Sequence, residues 1–267
     1  MKTASRTVPA PVILTTDFGY LDEYVGVLKG VILSIDRSIA VIDLCHAVPA
    51  QDIPRAARLI ADNYRFFPDG SVHLCIVDPG VGTKRRIIAI QAAGQLFVGP
   101  DNGVFSTLIQ HVDAKIFEVT NRDWFLDKIS TTFHGRDIMA PVAARLALGA
   151  PITSVGARLG RELCATISLA EPLLDKNVLT GEVVGIDRYG NIRTNIRKEH
   201  LDGFKTPVQV LIKSLTIKIT TGSYGDISSD QPAALINSSN ELEICVRNSN
   251  CAALLDVELG DQVLVRG

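Results

Sequence analysis

The sequence predicts a protein of two domains: an α/β domain, in which a largely parallel sheet is flanked by helices, followed by an all-β domain. Over residues 1–170, short apolar runs alternate with runs whose apolar residues recur at the helical period. Buried strands that alternate with helices indicate a largely parallel sheet covered on both faces. After residue 179 the apolar runs are short and β-branched, with Gly, Asn, Ser and Asp between them, which is typical of antiparallel strands. We therefore expect domains at 1–170 and 179–267, joined by a linker at 171–178.

The elements of the first domain follow from its apolar pattern. Residues 12–16 and 72–77 are apolar runs, so they are predicted to be buried strands. Residues 22–35 carry apolar side chains at the helical period, which predicts a helix. Pro54 starts a second helix, running to residue 64, at a position where its missing N–H does no harm. The remaining predicted elements are strands at 39–42, 86–92 and 96–99, a turn at 100–103 and a helix from 137 to 149.

The second domain is predicted to contain strands at 181–187, 208–212, 215–220, 242–247 and 262–266. One polar turn between such runs presents Asp187 and Asn191. An Asn amide donates and accepts hydrogen bonds at once, which suits the edge of an adenine ring. A similar polar turn contains Asn237, Ser238 and Ser239. Each turn could equally have only a structural role.

The composition excludes several classes of protein. Hydrophobic residues make up 46% of the chain and charged residues 21%, which is too apolar for intrinsic disorder. The 27 Lys and Arg residues are balanced by 29 Asp and Glu residues, so the chain lacks the basic surface that nucleic acids require. No apolar run approaches the roughly 18 residues that cross a membrane. The five cysteines have no metal-ligand spacing, so we expect free thiols, no metal and a reducing, cytoplasmic location.

Carboxylates follow several strands of the predicted parallel sheet. Asp17, Asp43, Asp78 and Asp101 each stand at or just after the end of a strand. In open α/β sheets, ligands bind at the carboxyl ends of the strands. The alternative for each Asp is to cap backbone N–H groups in its turn. Four together predict a site for a cationic or hydroxyl-rich ligand at this edge.

The loop at 77–86 is the densest polar motif of the chain. Gly80 and Gly82 allow its backbone to approach a ligand closely, with Asp78 before them and Arg85 after them. Its Gly-x-Gly leads into a strand and not a helix, so it is not a dinucleotide fingerprint. It also lacks the Gly-Lys-Ser/Thr of a phosphate-binding loop. The motif therefore indicates either a ligand-binding loop or a tight structural turn.

His134 precedes a predicted helix, where neighbouring groups can hold its imidazole against a cleft. A second interpretation is that Asp43, His46, Asp78 and His134 ligate a metal, although no pair has a metal-specific spacing. The chain contains no Gly-x-Ser-x-Gly motif, which argues against a serine hydrolase.

Five motifs occur in the order TTDFG at Thr15, VDPGVGTKRR at Val77, GPDNG at Gly99, FHGRD at Phe133 and IDRYGN at Ile186. In this order they resemble the S-adenosylmethionine (SAM) hydrolases, or SAM hydroxide adenosyltransferases, a group related to the fluorinase and chlorinase. The resemblance implies an α/β N-terminal domain and a C-terminal β-barrel that completes the neighbouring subunit's site in a homotrimer. It also implies hydrolysis of SAM to adenosine and L-methionine by activated water, without a cofactor.

The resemblance implies roles for individual residues. Asp78, Arg85 and His134 match the set that activates water. The residues that match substrate-binding positions are Asp17 for the ribose diol, Asp22 and Asp187 for the methionine ammonium, and Asn191 together with Asn237, Ser238 and Ser239 for adenine.

Four positions differ from the halogenase branch of that group, one of them being Tyr24, which stands where the halogenases have a Ser near the methionine. Asp78 replaces a Tyr, Gly135 replaces a Ser that contacts halide, and Gln51 replaces a Trp of the pocket. These differences favour water over halide as the nucleophile. Two alternatives remain open at this point: a metal-dependent hydrolase, and a protein that binds SAM or adenosine without turnover.

Overall fold

The computed structural model describes residues 8–111, 114–204, 208–220, 222–228 and 231–267. The chain divides into two compact units, with the boundary between Ser168 and Leu169. Within the described stretches, no helix is long and apolar enough to cross a membrane.

The first unit contains a seven-stranded sheet in the order β2-β1-β3-β5-β4-β6-β7. Its strands are β1 (Val12–Thr16), β2 (Val41–Cys45), β3 (Val72–Ile76), β4 (Ile87–Ala92), β5 (Gln95–Pro100), β6 (Lys115–Glu118) and β7 (Arg158–Leu159). Its helices are α1 (Tyr24–Ile35), α2 (Ile53–Asn63), α3 (Ser106–His111) and α4 (Ala140–Ala147).

The sheet is mixed, and most of its strands are parallel. β2, β1, β3 and β5 pair in parallel, whereas β4 pairs antiparallel with both β5 and β6, and β7 with β6. Only β4 and β7 therefore run against the other five strands. Alternate residues of β3 face opposite sides: Leu74 packs with the side chains of α1 and α4, and Cys75 packs with those of α2 and α3. The predicted α/β fold with helices on both faces is confirmed.

The order of the first strands defines the position of a ligand site. From β1 the chain passes through α1 to β2 on one side, and then through α2 to β3 on the other side of β1. Such a reversal opens a crevice at the carboxyl ends of the two central strands. In this chain those ends are Thr16 and Ile76, which are followed closely by Asp17 and Asp78.

Several predicted bounds in this unit were wrong. The strand expected at 39–42 is β2 at Val41–Cys45, an edge strand with exposed central residues and hence a weak apolar signal. The helix expected from residue 137 starts earlier, with a π-helical turn at Gly135–Met139 that leads into α4. The sequence analysis missed α3, β6 and β7, which are short.

The second unit is an antiparallel, nearly closed barrel in the order β12-β11-β15-β9-β10-β14-β13, with β8 beside β9. Its strands are β8 (Leu173–Asp175), β9 (Val178–Ile186), β10 (Ile192–Arg197), β11 (Gln209–Ile212), β12 (Leu215–Lys218), β13 (Pro232–Ile236), β14 (Glu241–Val246) and β15 (Gln262–Arg266), with helices α5 (Lys198–Leu201) and α6 (Cys251–Leu255). Beyond the end of β12, a bridge between Ile219 and Ala234 joins the two outer edges. The predicted all-β barrel is confirmed.

The apolar pattern explains which strands of the barrel were predicted. β9 alternates buried and partly exposed residues along most of its length, as expected for a strand with one face on the core. The sequence analysis missed β10, whose polar residues Arg193, Thr194 and Asn195 interrupt any apolar run. It also missed β13 and the two short helices. Strand β8 lies within the residues expected to form the linker.

Candidate active site

A cleft of about 420 Å³ lies at the carboxyl ends of β1 and β3. Volumes of this order are typical of small-molecule sites. Polar residues from four segments line it: Asp17, Asp22, Gln51, Asp78 and His134. The structure therefore brings together, at one strand edge, most of the N-terminal residues that the sequence analysis singled out.

Asp78, Arg85 and His134 are joined by hydrogen bonds. Arg85 Nε donates to the two carboxylate oxygens of Asp78 at 2.9 and 3.0 Å, and a terminal nitrogen of Arg85 adds a further bond. The other contact of that terminal nitrogen is His134 Nδ1, at 3.0 Å. The side chains of Asp78 and Arg85 are only 4% and 10% exposed. A paired, largely buried arginine of this kind is held in one orientation, and it joins Asp78 and His134, both of which line the cleft.

The contact with Arg85 determines which nitrogen of the His134 ring carries the proton. A guanidinium has no acceptor, so His134 Nδ1 must accept the bond, and the proton of the neutral ring lies on Nε2. Burial and the positive charge of Arg85 lower the pKa of His134, against the raising effects of Asp78, Asp137 and a hydrogen bond with the backbone of Ser130. The imidazole is therefore neutral near pH 7, with its proton on Nε2.

Two glycines allow the loops around the cleft to pack closely against their neighbours. Gly82 has a φ of +77°, and a methyl group there would overlap the carbonyl of Thr131. The loop that carries Asp78 and Arg85 therefore packs closely on the loop that leads to His134. At Gly135, a Cβ would lie 2.8 Å from Cδ1 of Ile76, so a larger residue there requires the end of the Ile76 side chain to shift.

Asp17 is held by the loop between β2 and α2. The backbone N–H of Gln51 donates to Asp17 Oδ2 at 2.8 Å, and Gln51 adopts a φ of +66°. None of the hydrogen bonds between described residues uses the other oxygen, Asp17 Oδ1. That oxygen therefore remains available to a ligand hydroxyl.

Asp43 and His46 do not line this cleft. His46 is fully buried, with its Nδ1 2.8 Å from the hydroxyl of Thr16, and Asp43 pairs with Lys29 at 2.7 Å. In the part of the chain that the structure describes, no group of three or more His, Cys, Asp or Glu residues could hold a metal ion. The metal-hydrolase interpretation therefore gains no support from the fold.

Three aromatic rings form one wall of the cleft. Phe18, Tyr24 and Phe133 contact one another with centroid separations of 5.4 to 5.8 Å. The sequence analysis did not identify this wall. Tyr24 and Phe133 are 109 positions apart in the sequence, so no sequence pattern links them. The rings give the cleft an apolar wall beside its carboxylates.

Arg136 and Asp137 pair with each other beside the cleft. Arg136 Nε donates to Asp137 Oδ1 at 2.6 Å, and the N–H of Ser130 donates to Oδ2 at 2.8 Å. Burial alone would raise the pKa of Asp137, but these hydrogen bonds outweigh it and lower that pKa. The pair thus anchors the loop before His134.

The second unit has its own cleft, of about 860 Å³, lined in part by Asp187 and Asn191. Asp187 accepts hydrogen bonds from the N–H of Tyr189 at 2.8 Å and of Asn191 at 2.9 Å, and from Asn191 Nδ2 at 3.0 Å. The sequence analysis missed two parts of the lining: Tyr224 and the loop at 247–250. The polarity of that loop was the available signal.

The turn with Asn237, Ser238 and Ser239 does not line that cleft. Asn237 Oδ1 accepts from the N–H of Ser239 at 2.9 Å and of Glu241 at 3.0 Å, so it caps the β13–β14 hairpin. Its Nδ2 reaches Glu243, which accepts a 2.6 Å hydrogen bond from the Tyr224 hydroxyl. The turn is thus connected to the cleft through Glu243 and Tyr224.

Comparisons with known proteins agree with this geometry. The sequence model of the SAM hydroxide adenosyltransferase N-terminal domain matches residues 12–156, and that of the C-terminal domain matches residues 181–264. An (R)-S-adenosyl-L-methionine hydrolase of Salinispora tropica is 37% identical over 263 residues, covering 96% of this chain and 98% of that protein. A fluorinase of Actinopolyspora mzabensis is 27% identical, covering 98% and 99%. A crystal structure of a conserved protein from Thermotoga maritima superimposes with a TM-score of 0.89 and 33% identity, covering 96% of this chain and all of that one.

Proposed function

Because the chain belongs to the SAM hydroxide adenosyltransferase family, we propose that it hydrolyses SAM to adenosine and L-methionine. The observation that carries the proposal is the hydrogen-bonded set of Asp78, Arg85 and His134, of which Asp78 and His134 line the same cleft as Asp17. Such a set suits the activation of water beside a bound nucleoside.

The chemistry of SAM explains why few catalytic groups are needed. Water oxygen attacks ribose C5′, the C5′–S bond breaks, and its electron pair passes to sulfur, which leaves as the neutral thioether of methionine. The leaving group needs no acid assistance. The protein has to position one water molecule, exclude others and accept one proton.

The roles of the three residues follow from their hydrogen bonds. Nε2–H of His134 is a donor, so His134 orients the water oxygen and does not remove its proton. Arg85 supplies positive charge where hydroxide develops. Asp78 is then the proton acceptor of the set, because a carboxylate that accepts from Arg85 retains further lone pairs.

Substrate binding divides between the two units. In the first unit, Asp17 binds the ribose diol and Asp22 the methionine ammonium. In the second, Asp187 binds the ammonium and Asn191 the adenine edge, while Asn237, Ser238 and Ser239 act on adenine through Glu243 and Tyr224. We propose a homotrimer in which the barrel of one subunit completes the cleft of the next. The five free cysteines favour a reducing, cytoplasmic location.

Water is the nucleophile in this proposal, although fluorinases are among the relatives. A carboxylate about 4 Å from a halide would repel it by about 4 kcal/mol at an effective dielectric near 20. Asp78 supplies that carboxylate, its pairing with Arg85 offsets part of the repulsion, and Gly135 offers no hydroxyl donor.

The test is to incubate the purified protein with SAM in ¹⁸O-labelled water that also contains molar chloride. We expect labelled oxygen in adenosine and none in methionine. Arg86→Gln is the control for Arg85→Gln, because Arg86 pairs with Asp101 outside the cleft. A chlorinated nucleoside as main product, or binding of SAM without turnover, would contradict the proposal.

A further inference from the structure

His46 holds the turn that carries Asp17, although it takes no part in the cleft. Its Nδ1 lies 2.8 Å from Thr16 Oγ1, and its carbonyl accepts the N–H of Gly19 at 2.7 Å. These two contacts fall on either side of Asp17. The edge of the Tyr20 ring packs on the imidazole, with 5.1 Å between centroids. His46 is thus anchored to the chain before and after the carboxylate.

The hydrogen bonds define the direction of each donor. Thr16 Oγ1 accepts the N–H of Phe18 at 3.2 Å and keeps its own proton for His46 Nδ1. The Asp43 carboxylate beside Nε2 favours a ring proton on Nε2, which leaves Nδ1 as the acceptor for Thr16. Asp43 Oδ1 lies 3.1 Å from Nε2, an ion-pair distance without the alignment of an ideal hydrogen bond.

Asp43 is itself held by a cation. Lys29 Nζ donates to Asp43 Oδ2 at 2.7 Å. Burial would raise the pKa of Asp43, but the contacts with Lys29 and His46 outweigh it and lower that pKa. The carboxylate therefore stays ionised and favours the tautomer of His46 that can accept from Thr16.

This hydroxyl–imidazole–carboxylate chain has the composition of a nucleophilic triad, but it cannot act as one. Thr16 is 0% exposed and so is His46, so no substrate reaches the hydroxyl. These three side chains instead fix the position of the backbone that follows β1. The same β2–α2 loop also donates the N–H of Gln51 to Asp17 Oδ2.

We propose that His46, oriented by Asp43 and Lys29, is a positioning residue that acts through Thr16 to aim the Asp17 carboxylate at the ribose diol. The inference rests on the proposed function. Displacement of a binding group by even 1 Å can cost on the order of 10²-fold. Because a ribose contact is equally strong in the ground state and in the transition state, its loss raises KM and leaves kcat nearly unchanged.

The matched pair Thr16→Val and Thr16→Ser tests this inference. Val has the shape of Thr without the hydroxyl, whereas Ser keeps the hydroxyl and loses a methyl group. We expect Thr16→Val to raise KM for SAM, and the Kd of adenosine measured by calorimetry, by roughly 10-fold. Thr16→Ser should restore both values to within about threefold of the wild type, as expected when the hydroxyl alone matters.

A lowered Tm in Thr16→Val with unchanged KM and adenosine affinity would mean that the Thr16–His46–Asp43 contacts have only a structural role. That result would overturn the inference. Equal losses in both variants would also overturn it. If Thr16→Val does not fold, the test uses Asp43→Ala instead, because Asp43 is the partly exposed member of these contacts. The inference then requires KM to rise while kcat is retained. Failure of the wild type to cleave SAM would instead contradict the proposed function, since adenosine binding is measured separately.

Discussion

At the scale of single residues, Arg85 connects the two other members of the proposed catalytic set, because one guanidinium nitrogen contacts both Asp78 and His134. In the proposed mechanism, Arg85 and His134 act on the attacking oxygen, whose charge develops only as the reaction proceeds. Asp17 is proposed to bind the ribose, which changes little. Substitutions of Arg85 or His134 should therefore affect kcat, whereas substitution of Asp17 should affect KM.

We expect Arg85→Ala and His134→Ala to lower kcat by on the order of 10²-fold or more, the usual size of one electrostatic or acid–base contribution. Asp17→Ala should mainly raise KM. Steady-state kinetics with SAM measure both parameters. Wild-type kcat in the Arg85 and His134 variants would remove these residues from the mechanism.

The pH dependence follows from the direction of the His134 shift. Protonation at Nδ1 would break the bond from Arg85, so only the neutral ring can take the role proposed for His134. Since burial and Arg85 lower the pKa of His134 from 6.5, the neutral form persists to lower pH. We expect kcat/KM to fall on the acid side with a midpoint below 6.5. A midpoint above 6.5, or an identical acid limb in His134→Asn, would contradict this assignment.

At the scale of elements, the cleft depends on close packing between the loop after β3 and the loop before α4. Gly82→Ala would place a methyl group against the carbonyl of Thr131 at a positive φ. We expect kcat to fall by on the order of 10²-fold, because Asp78 and Arg85 move together with the loop. Gly30→Ala on α1 is the control: a Cβ there meets no atom within 4 Å, and Ala favours a helix by about 1 kcal/mol over Gly. Kinetics and thermal unfolding of both variants test this difference.

The same elements explain how far the sequence could predict the site. β1 and β3 are uniformly buried, so their ends, and with them Asp17 and Asp78, were predictable from apolar runs. The contact of Arg85 with His134 joins residues 49 positions apart, and it depends on the packing of two irregular loops. Neither the tautomer of His134 nor the aromatic wall has a periodic signal. Loop conformation, and not strand position, was the missing information.

At the scale of the whole molecule, the proposed substrate-binding groups belong to two separate units. Co-expression of Asp78→Ala with Asp187→Ala tests whether subunits share sites. If the barrel of one subunit serves the next, random mixing gives about a quarter of the sites in native form, as a symmetric ring requires. Activity should return in the mixture although each variant alone is impaired, and light scattering should give a trimer. An inactive mixture would contradict shared sites.

Catalysis should also survive removal of metals. SAM has a neutral leaving group, so a Lewis acid has no step to assist. We expect unchanged adenosine formation after dialysis against EDTA. Loss of activity that a divalent ion restores would revive the metal-hydrolase interpretation.

The contact between Gly135 and Ile76 constrains the order in which this site could change its chemistry. A serine hydroxyl at position 135 would bring a Cβ within 2.8 Å of Cδ1 of Ile76. Ile76→Val removes that δ-methyl group, and the remaining Cγ2 contact of 3.2 Å needs only a small adjustment. A mutational route towards a hydroxyl-lined nucleophile pocket is therefore easier in one direction: once the strand residue is shortened, the glycine can be replaced without displacing the δ-methyl group of Ile76.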